Sequence, residues 1–283
     1  KTSVLKQLGN HLPEKYVPVF FDLQGRTHTT LDHFLWWLAR ETVRVLKQER
    51  SLEVPIPARE DFAGDPEFFE NSFLPGVQSI LGESSLLYTF DEFDNLEESE
   101  VREELARPLT DHLTRLMGTG EVKFIFSIGS SGRKLENMQA AYTEFFKTAL
   151  YKKISFLSWE QTQALVTRPV AEVITYDPAA VERIHAITAG HPYFTQLTCH
   201  ELFARCQRTE QRRIALADVE AVLDDVVERG TVNLKFVWDE AADMEKWCLA
   251  GLAGMEAGAG RSLGDLLRRQ RVRFSEGDLR QAL

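Results

Sequence analysis

The stretch Ser85-Leu86-Leu87-Tyr88-Thr89-Phe90-Asp91-Glu92 decides the fold. A short apolar, β-favouring run without polar alternation predicts a strand buried on both faces, the kind found in parallel sheets covered by helices. It ends in two adjacent carboxylates, at the place where open parallel sheets present their ligand sites. Two more runs repeat the pattern: Tyr16-Val17-Pro18-Val19-Phe20-Phe21-Asp22-Leu23, and Val122-Lys123-Phe124-Ile125-Phe126-Ser127-Ile128, which breaks at Gly129-Ser130-Ser131-Gly132. Lys153 to Leu157 predicts a fourth, short strand. Between them lie helical stretches: Thr2 to Leu12, and a stripe of Leu31, Phe34, Leu35, Leu38 and Val45 that Thr29 or Thr30 can cap. Pro55 to Pro75 reads as a surface excursion with a short aromatic helix near Phe68 to Phe73. Strands alternating with helices imply a three-layer α/β/α arrangement, because parallel neighbours need crossover connections.

After Ser158 the pattern becomes all-helical: Trp159 to Val166, Pro178 to Thr188, Pro192 to Arg205 and Leu216 to Glu228, punctuated by Gly190 and Pro192. Boundaries follow near 158 and 230, giving an expected core at 1–157, a helical segment at 158–230 and two or three short helices at 231–283. The 283 residues are 43% hydrophobic and 27% charged, which excludes collagen-like, mucin-like and wholly disordered chains. With 33 Lys and Arg against 43 Asp and Glu, the formal charge of -10 disfavours unassisted binding to a polyanion. No apolar run approaches the roughly 20 residues that span a bilayer, and no basic-then-apolar leader is present, so a soluble cytoplasmic protein without a membrane partner is expected. Cys199, Cys206 and Cys248 lack any CxxC or His pairing and read as buried thiols.

The chemistry begins at Lys1-Thr2-Ser3, which opens an amphipathic helix. In a GxxxxGK[ST] phosphate loop, backbone amides cradle phosphates, the Lys reaches the β/γ oxygens and the hydroxyl binds Mg2+. Only the last positions of that pattern stand here, and alone they fit a frayed basic terminus better. Asp91 and Glu92 supply what such a site lacks: one carboxylate for hydrated Mg2+ and a neighbour to deprotonate the attacking water. An exposed acidic turn accounts for Glu97, Glu98 and Glu100, and less well for two carboxylates placed directly after a buried run. Asp94 fits either description.

Taken in order, the KTS-initiated helix, Tyr16 to Gly25 (YVPVFFDLQG), Leu86 to Asp94 (LLYTFDEFD), the strand ending FIFSIGSS and Gly190-His191-Pro192-Tyr193 resemble the AAA-like, STAND-type P-loop ATPases of bacteria and archaea. The resemblance runs from residue 1 to about 230 and more faintly beyond. It implies a P-loop sheet whose first strand and glycine loop lie upstream of Lys1, a helical lid and a partial winged-helix domain, with ATP and Mg2+ as cofactors. It makes Lys1 the phosphate-binding lysine, with Ser3 beside it, and Thr2 and Asp91 the Mg2+ ligands. Glu92 becomes the catalytic glutamate, Ser130 or Ser131 the γ-phosphate sensor, and His191-Pro192 the contact to adenine or ribose. His191 alone can equally be a helix cap. The pattern departs from the family in lacking the glycine loop and an obvious lid arginine; Arg168, Arg183 and Arg205 are unranked candidates.

The resemblance further implies a switch that forms homo-oligomers when triggered, with effector and sensor domains outside this segment, in bacterial signalling or defence. One feature points elsewhere: Arg261 to Arg273 holds five arginines against one aspartate. With Leu263 to Arg271 and Phe274 to Leu283 as helices of a winged helix, this stretch can meet DNA, as in origin-recognition-like or transposition-like ATPases, although packing against the nucleotide domain is the preferred expectation. A binding-only scaffold is the third reading. Trp36-Trp37 and Phe68-Phe69 read as packing residues, and Arg133-Lys134 as a solvated loop.

Overall fold

The computed structural model describes residues 1–24, 30–65, 67–97, 102–129, 138–147, 149–253, 255 and 262–282. These residues divide into two compact units, Lys1–Lys153 and Ile154–Leu283.

The first unit is built on a parallel sheet of three strands among the described residues, β1 (Tyr16–Asp22), β2 (Ser85–Asp91) and β3 (Val122–Phe126), in that order. The registers Asp22↔Asp91 and Phe90↔Phe126 bring the carboxyl-terminal ends of the strands to one edge. Among the described strands only β2 has a neighbour on each side, and every residue of it after Ser85 is buried. β1 alternates instead: Val17, Val19 and Phe21 are buried while Phe20 is half-exposed. The burial of β1 on both faces expected from its composition is thus corrected: one face is buried and the other, where Lys6 lies over the Phe20 ring, is only half-covered among the described residues.

Around the sheet lie α1 (Thr2–Leu8), α2 (Leu31–Arg50), α3 (Leu74–Leu81) and α4 (Arg107–Thr119). α1 stops short of the expected Leu12, continuing as one 3-10 turn over Gly9–His11. α2 starts after Thr30, whose hydroxyl bonds to Asp32. The short aromatic helix is a wide turn at Phe69–Phe73 that runs on into α3, and its Phe69 and Phe73 are core. The interior is aromatic. Phe90 stacks between Phe21 at 5.0 Å and Phe126 at 5.5 Å, and Phe21 meets Trp37 edge-on at 5.2 Å. The buried Tyr88 hydroxyl is matched by Thr42 Oγ1 at 2.8 Å, and burial pushes its phenol up. Trp36 is half-buried; its indole N–H donates to Pro57 O and its face carries the Arg40 guanidinium.

Lys153 to Leu157 is not a strand. No described strand lies hydrogen-bonded beside it, and Ile154 and Phe156 each remain 56% exposed. A short run without ladder partners does not order as a strand, so β-favouring composition alone does not make one.

The second unit holds the helices Trp159–Thr167, Pro178–Thr188, Pro192–Thr209, Leu216–Ala221 and Leu223–Glu240 around Val166, Ile184, Leu202, Ile214 and Val219. Ser158 opens it with a capping box shared with Gln161. This region is not wholly helical as expected: Thr175–Tyr176 pairs in parallel with Arg213–Ile214, a two-residue ladder too short for periodicity to reveal. Asp243–Ala253, Leu263–Arg269 and Glu276–Ala282 follow, the first packing on the other two. Cys206 and Cys248 are buried and Cys199 is half-buried; burial pushes the Cys199 thiol up to about 11. No helix among the described residues is long and apolar enough to cross a membrane.

Candidate active site

The carboxyl-terminal edge of the sheet gathers an unusual density of charge. Asp91, the last residue of β2, is 1% exposed, and its Oδ1 accepts the Glu92 amide at 3.2 Å. Glu92 sits in the left-handed region at φ 52°, strained for a side chain with a Cβ, and it turns the chain out of the strand. Burial raises its pKa, with Asp94, Asp91 and Asp22 adding repulsion and the Lys1 ammonium opposing them. Those influences define the cluster: four carboxylates and one lysine around a single strand end.

Lys1 lies just before α1, which packs on β1 and β2, and its Nζ donates to the Ile128 carbonyl at 2.5 Å. Thr2 is half-buried and Ser3 exposed at the start of the same helix. The structure brings Lys1 into the neighbourhood of Asp91 and Glu92, and Asp22 and the buried Asp94 lie there too. Asp22 is not among the residues singled out from sequence, whereas Asp94, which fits either description there, is buried. Asp22 carried a readable signal, because a polar residue closing an apolar parallel strand lands at the same edge as its neighbours' last residues. Ser127 Oγ, just past β3, is buried with no hydrogen-bond partner among the described residues. Ser130 and Ser131 lie outside the described residues, as do Arg133 and Lys134.

His191 and Pro192 belong to the second unit. His191 occupies the N-cap position of Pro192–Thr209 without a side-chain capping bond, so the helix-cap role is not what its ring performs. The ring lies between Phe156 at 5.1 Å and Phe194 at 5.0 Å; its Nδ1 is buried without a partner among the described residues and burial lowers its pKa. Gly190 before it has φ 72°, and a Cβ there would come within 2.2 Å of the Leu157 carbonyl oxygen, so only glycine fits. Of the three candidate arginines, Arg183 is held by Glu220 at 2.6 Å and Arg205 by Asp218 at 3.3 Å, whereas Arg168 has no ion pair among the described residues.

The donors at the sheet edge suit a hard cation. All are oxygens, and Mg2+ at a phosphate site takes one or two carboxylates and completes its shell with water and phosphate. No group of three or more His, Cys, Asp or Glu with metal-binding geometry occurs among the described residues.

A parallel sheet flanked by helices and followed by a helical segment is an arrangement shared with solved structures. The solved structure of the Aeropyrum pernix ORC2 protein in ADPNP–ADP complexes is similar, with 12% identity and a TM-score of 0.52 over 99% of this chain and 66% of that one. The Aeropyrum pernix ORC1 protein in complex with DNA matches at 15% identity and a TM-score of 0.49, over 98% of this chain and 68% of the other. A Thermotoga maritima RuvB point mutant matches at 11% identity and a TM-score of 0.38, over 99% and 85%. The chain therefore spans about two thirds of the length of either ORC protein. No family model and no curated protein matches the sequence.

Proposed function

We propose that the chain is the ATP-binding and ATP-hydrolysing switch part of a STAND/AAA-like signalling or defence protein, whose nucleotide state controls conformation and homo-oligomer formation. The observation that carries this reading is the Asp91–Glu92 pair at the end of the central strand, with the Lys1 ammonium close enough to offset part of Glu92's raised pKa. The Lys1 ammonium would bind the β/γ-phosphate oxygens, with Ser3 beside it. Thr2 and Asp91 would hold Mg2+, which when bound neutralises phosphate charge. Glu92 would take the proton of the attacking water on its carboxylate, and its raised pKa makes it the stronger base. The contact to adenine or ribose falls to His191 and Pro192, and the γ-phosphate sensor to Ser130 or Ser131.

Glu92→Gln should retain ATP and lose hydrolysis by about 10²–10⁴-fold. Unchanged turnover in that variant would sink the catalytic assignment. Because Glu92 must be ionised to act, the rate should also fall on the acid side at a pH above the usual carboxylate range.

A second reading, DNA binding, draws on Arg269, Arg271 and Arg273, which have no ion pair among the described residues and sit at the turn between the last two short helices. Glu276 and Asp278 in the first turn of the final helix would repel phosphate, which favours regulatory packing. A salt-dependent gel shift that disappears when Arg268, Arg269, Arg271 and Arg273 are neutralised would reverse that preference.

A further inference from the structure

One peptide group at the exit of β3 is held from both ends. Its carbonyl, on Ile128, accepts a hydrogen bond from Lys1 Nζ at 2.5 Å, and its N–H, on Gly129, donates to Asp94 Oδ1 at 2.6 Å. A cation on the oxygen and a carboxylate on the N–H polarise the amide in the same sense, so each bond strengthens the other.

The arrangement is built rather than incidental. Asp94 is 4% exposed, unlike a carboxylate on a solvated acidic turn. It rides on the 3-10 turn Phe93–Glu97, fastened to β3's exit by the Phe93 amide donating to Ser127 O at 2.9 Å. The fully buried Phe93 ring packs 4.7 Å from Phe126 and 5.6 Å from Phe145. A Cβ on Gly129 would lie 2.4 Å from Asp94 Oδ2, so the carboxylate occupies the space a larger residue would need.

We propose that Asp94 is a positioning residue for the Lys1 ammonium, acting through the Ile128–Gly129 peptide to hold that cation at the sheet edge beside Asp91 and Glu92. The inference rests on the nucleotide reading of this edge and adds to it the group that sets the phosphate-binding lysine. Asp94 touches no phosphate in this scheme; it works only through Lys1.

A double-mutant cycle in the full-length protein, with the glycine loop that the nucleotide reading places before Lys1, tests this, with ATP affinity measured for the parent, Lys1→Met, Asp94→Asn and the pair. Asparagine keeps an acceptor for the Gly129 N–H and removes the charge. Asp94→Asn should weaken ATP binding about 3- to 10-fold in the parent and less than about 2-fold beside Lys1→Met. Equal losses in both backgrounds, or no loss in the parent, would overturn the proposal, since a purely structural role is blind to Lys1. The nucleotide-free protein gives an independent readout through the Gly129 amide proton resonance. Lys1→Met, an exposed substitution that spares the fold, should move that resonance upfield as the peptide loses polarisation, and an unmoved resonance would overturn the proposal. A parent chain that binds no ATP would break the nucleotide reading instead, and the Gly129 resonance would still decide whether Asp94 and Lys1 are coupled.

Discussion

Two β-favouring segments of this chain, Ser85–Asp91 and the five residues from Lys153 to Leu157, share a make-up of aromatic and aliphatic side chains and end in different states. In the first, Phe90 is fully buried between Phe21 and Phe126, and the backbone is bonded to a strand on each side. In the second, Phe156 is more than half exposed, its ring contact is to His191, and the Leu157 amide donates to Gly190 O at 2.8 Å. Composition makes a strand possible, but neighbours make it real, because a run without ladder partners buries too little to offset the entropy of ordering. Where pairing exists, the end of the strand becomes a rigid platform, and the charge cluster of Asp91, Glu92 and Lys1 stands on it. A site on such a platform can be held in geometry that an unpaired segment cannot keep.

The contrast is sharpest in a pair of equivalent truncations. Phe90→Ala should destabilise the protein by about 3–5 kcal/mol, through lost transfer energy and the cavity left between two stacked rings. Phe156→Ala should change stability by no more than about 0.5 kcal/mol. Denaturant unfolding of both variants measures the difference, and similar losses would break the distinction between paired and unpaired runs. The second segment is nevertheless tied down at its end. Gly190→Ala puts a Cβ against the Leu157 carbonyl and forces alanine into φ near 72°, so a loss of about 1–3 kcal/mol is expected, confined to the unfolding of the Ile154–Leu283 unit. A neutral Gly190→Ala would show that this tie is dispensable.

What could be read from sequence follows the same physics. The three strands were legible because their burial writes apolar runs into the chain, and Asp91 and Glu92 were legible because the run stops at them. The state of Lys153 to Leu157 was not, since the local run carries no record of whether a partner lies beside it. Thr175–Tyr176 and Arg213–Ile214 escaped notice because two residues have no period. Asp94 was ambiguous for a related reason: in sequence it belongs to an acidic tract, and only its bond to Gly129, 35 positions away, separates it from its solvated neighbours. The division of Leu216 to Glu228 into Leu216–Ala221 and a longer helix running to Glu240 was equally hidden, as Val222 interrupts an otherwise continuous helical pattern.

A finer test probes why β2, and not merely any apolar run, occupies the centre. Tyr88 places a hydroxyl inside the core, where an unmatched polar group is costly, and Thr42 of α2 supplies the match at 2.8 Å while also donating to Leu38 O at 2.8 Å. The two atoms therefore share out their bonds: Thr42 Oγ1 gives its proton to its own helix and Tyr88 donates to Thr42. Tyr88→Phe removes the donor and leaves an acceptor whose remaining bond is intact, so the loss should be about 1 kcal/mol. Thr42→Val removes the acceptor and strands the Tyr88 hydroxyl in an apolar setting, which should cost more, about 1–3 kcal/mol. The order of these two losses is the sensitive point. If Thr42→Val proved the milder change, the Tyr88 hydroxyl would have to be satisfied elsewhere, and the bond to α2 would not be what fixes β2 in the middle of the sheet.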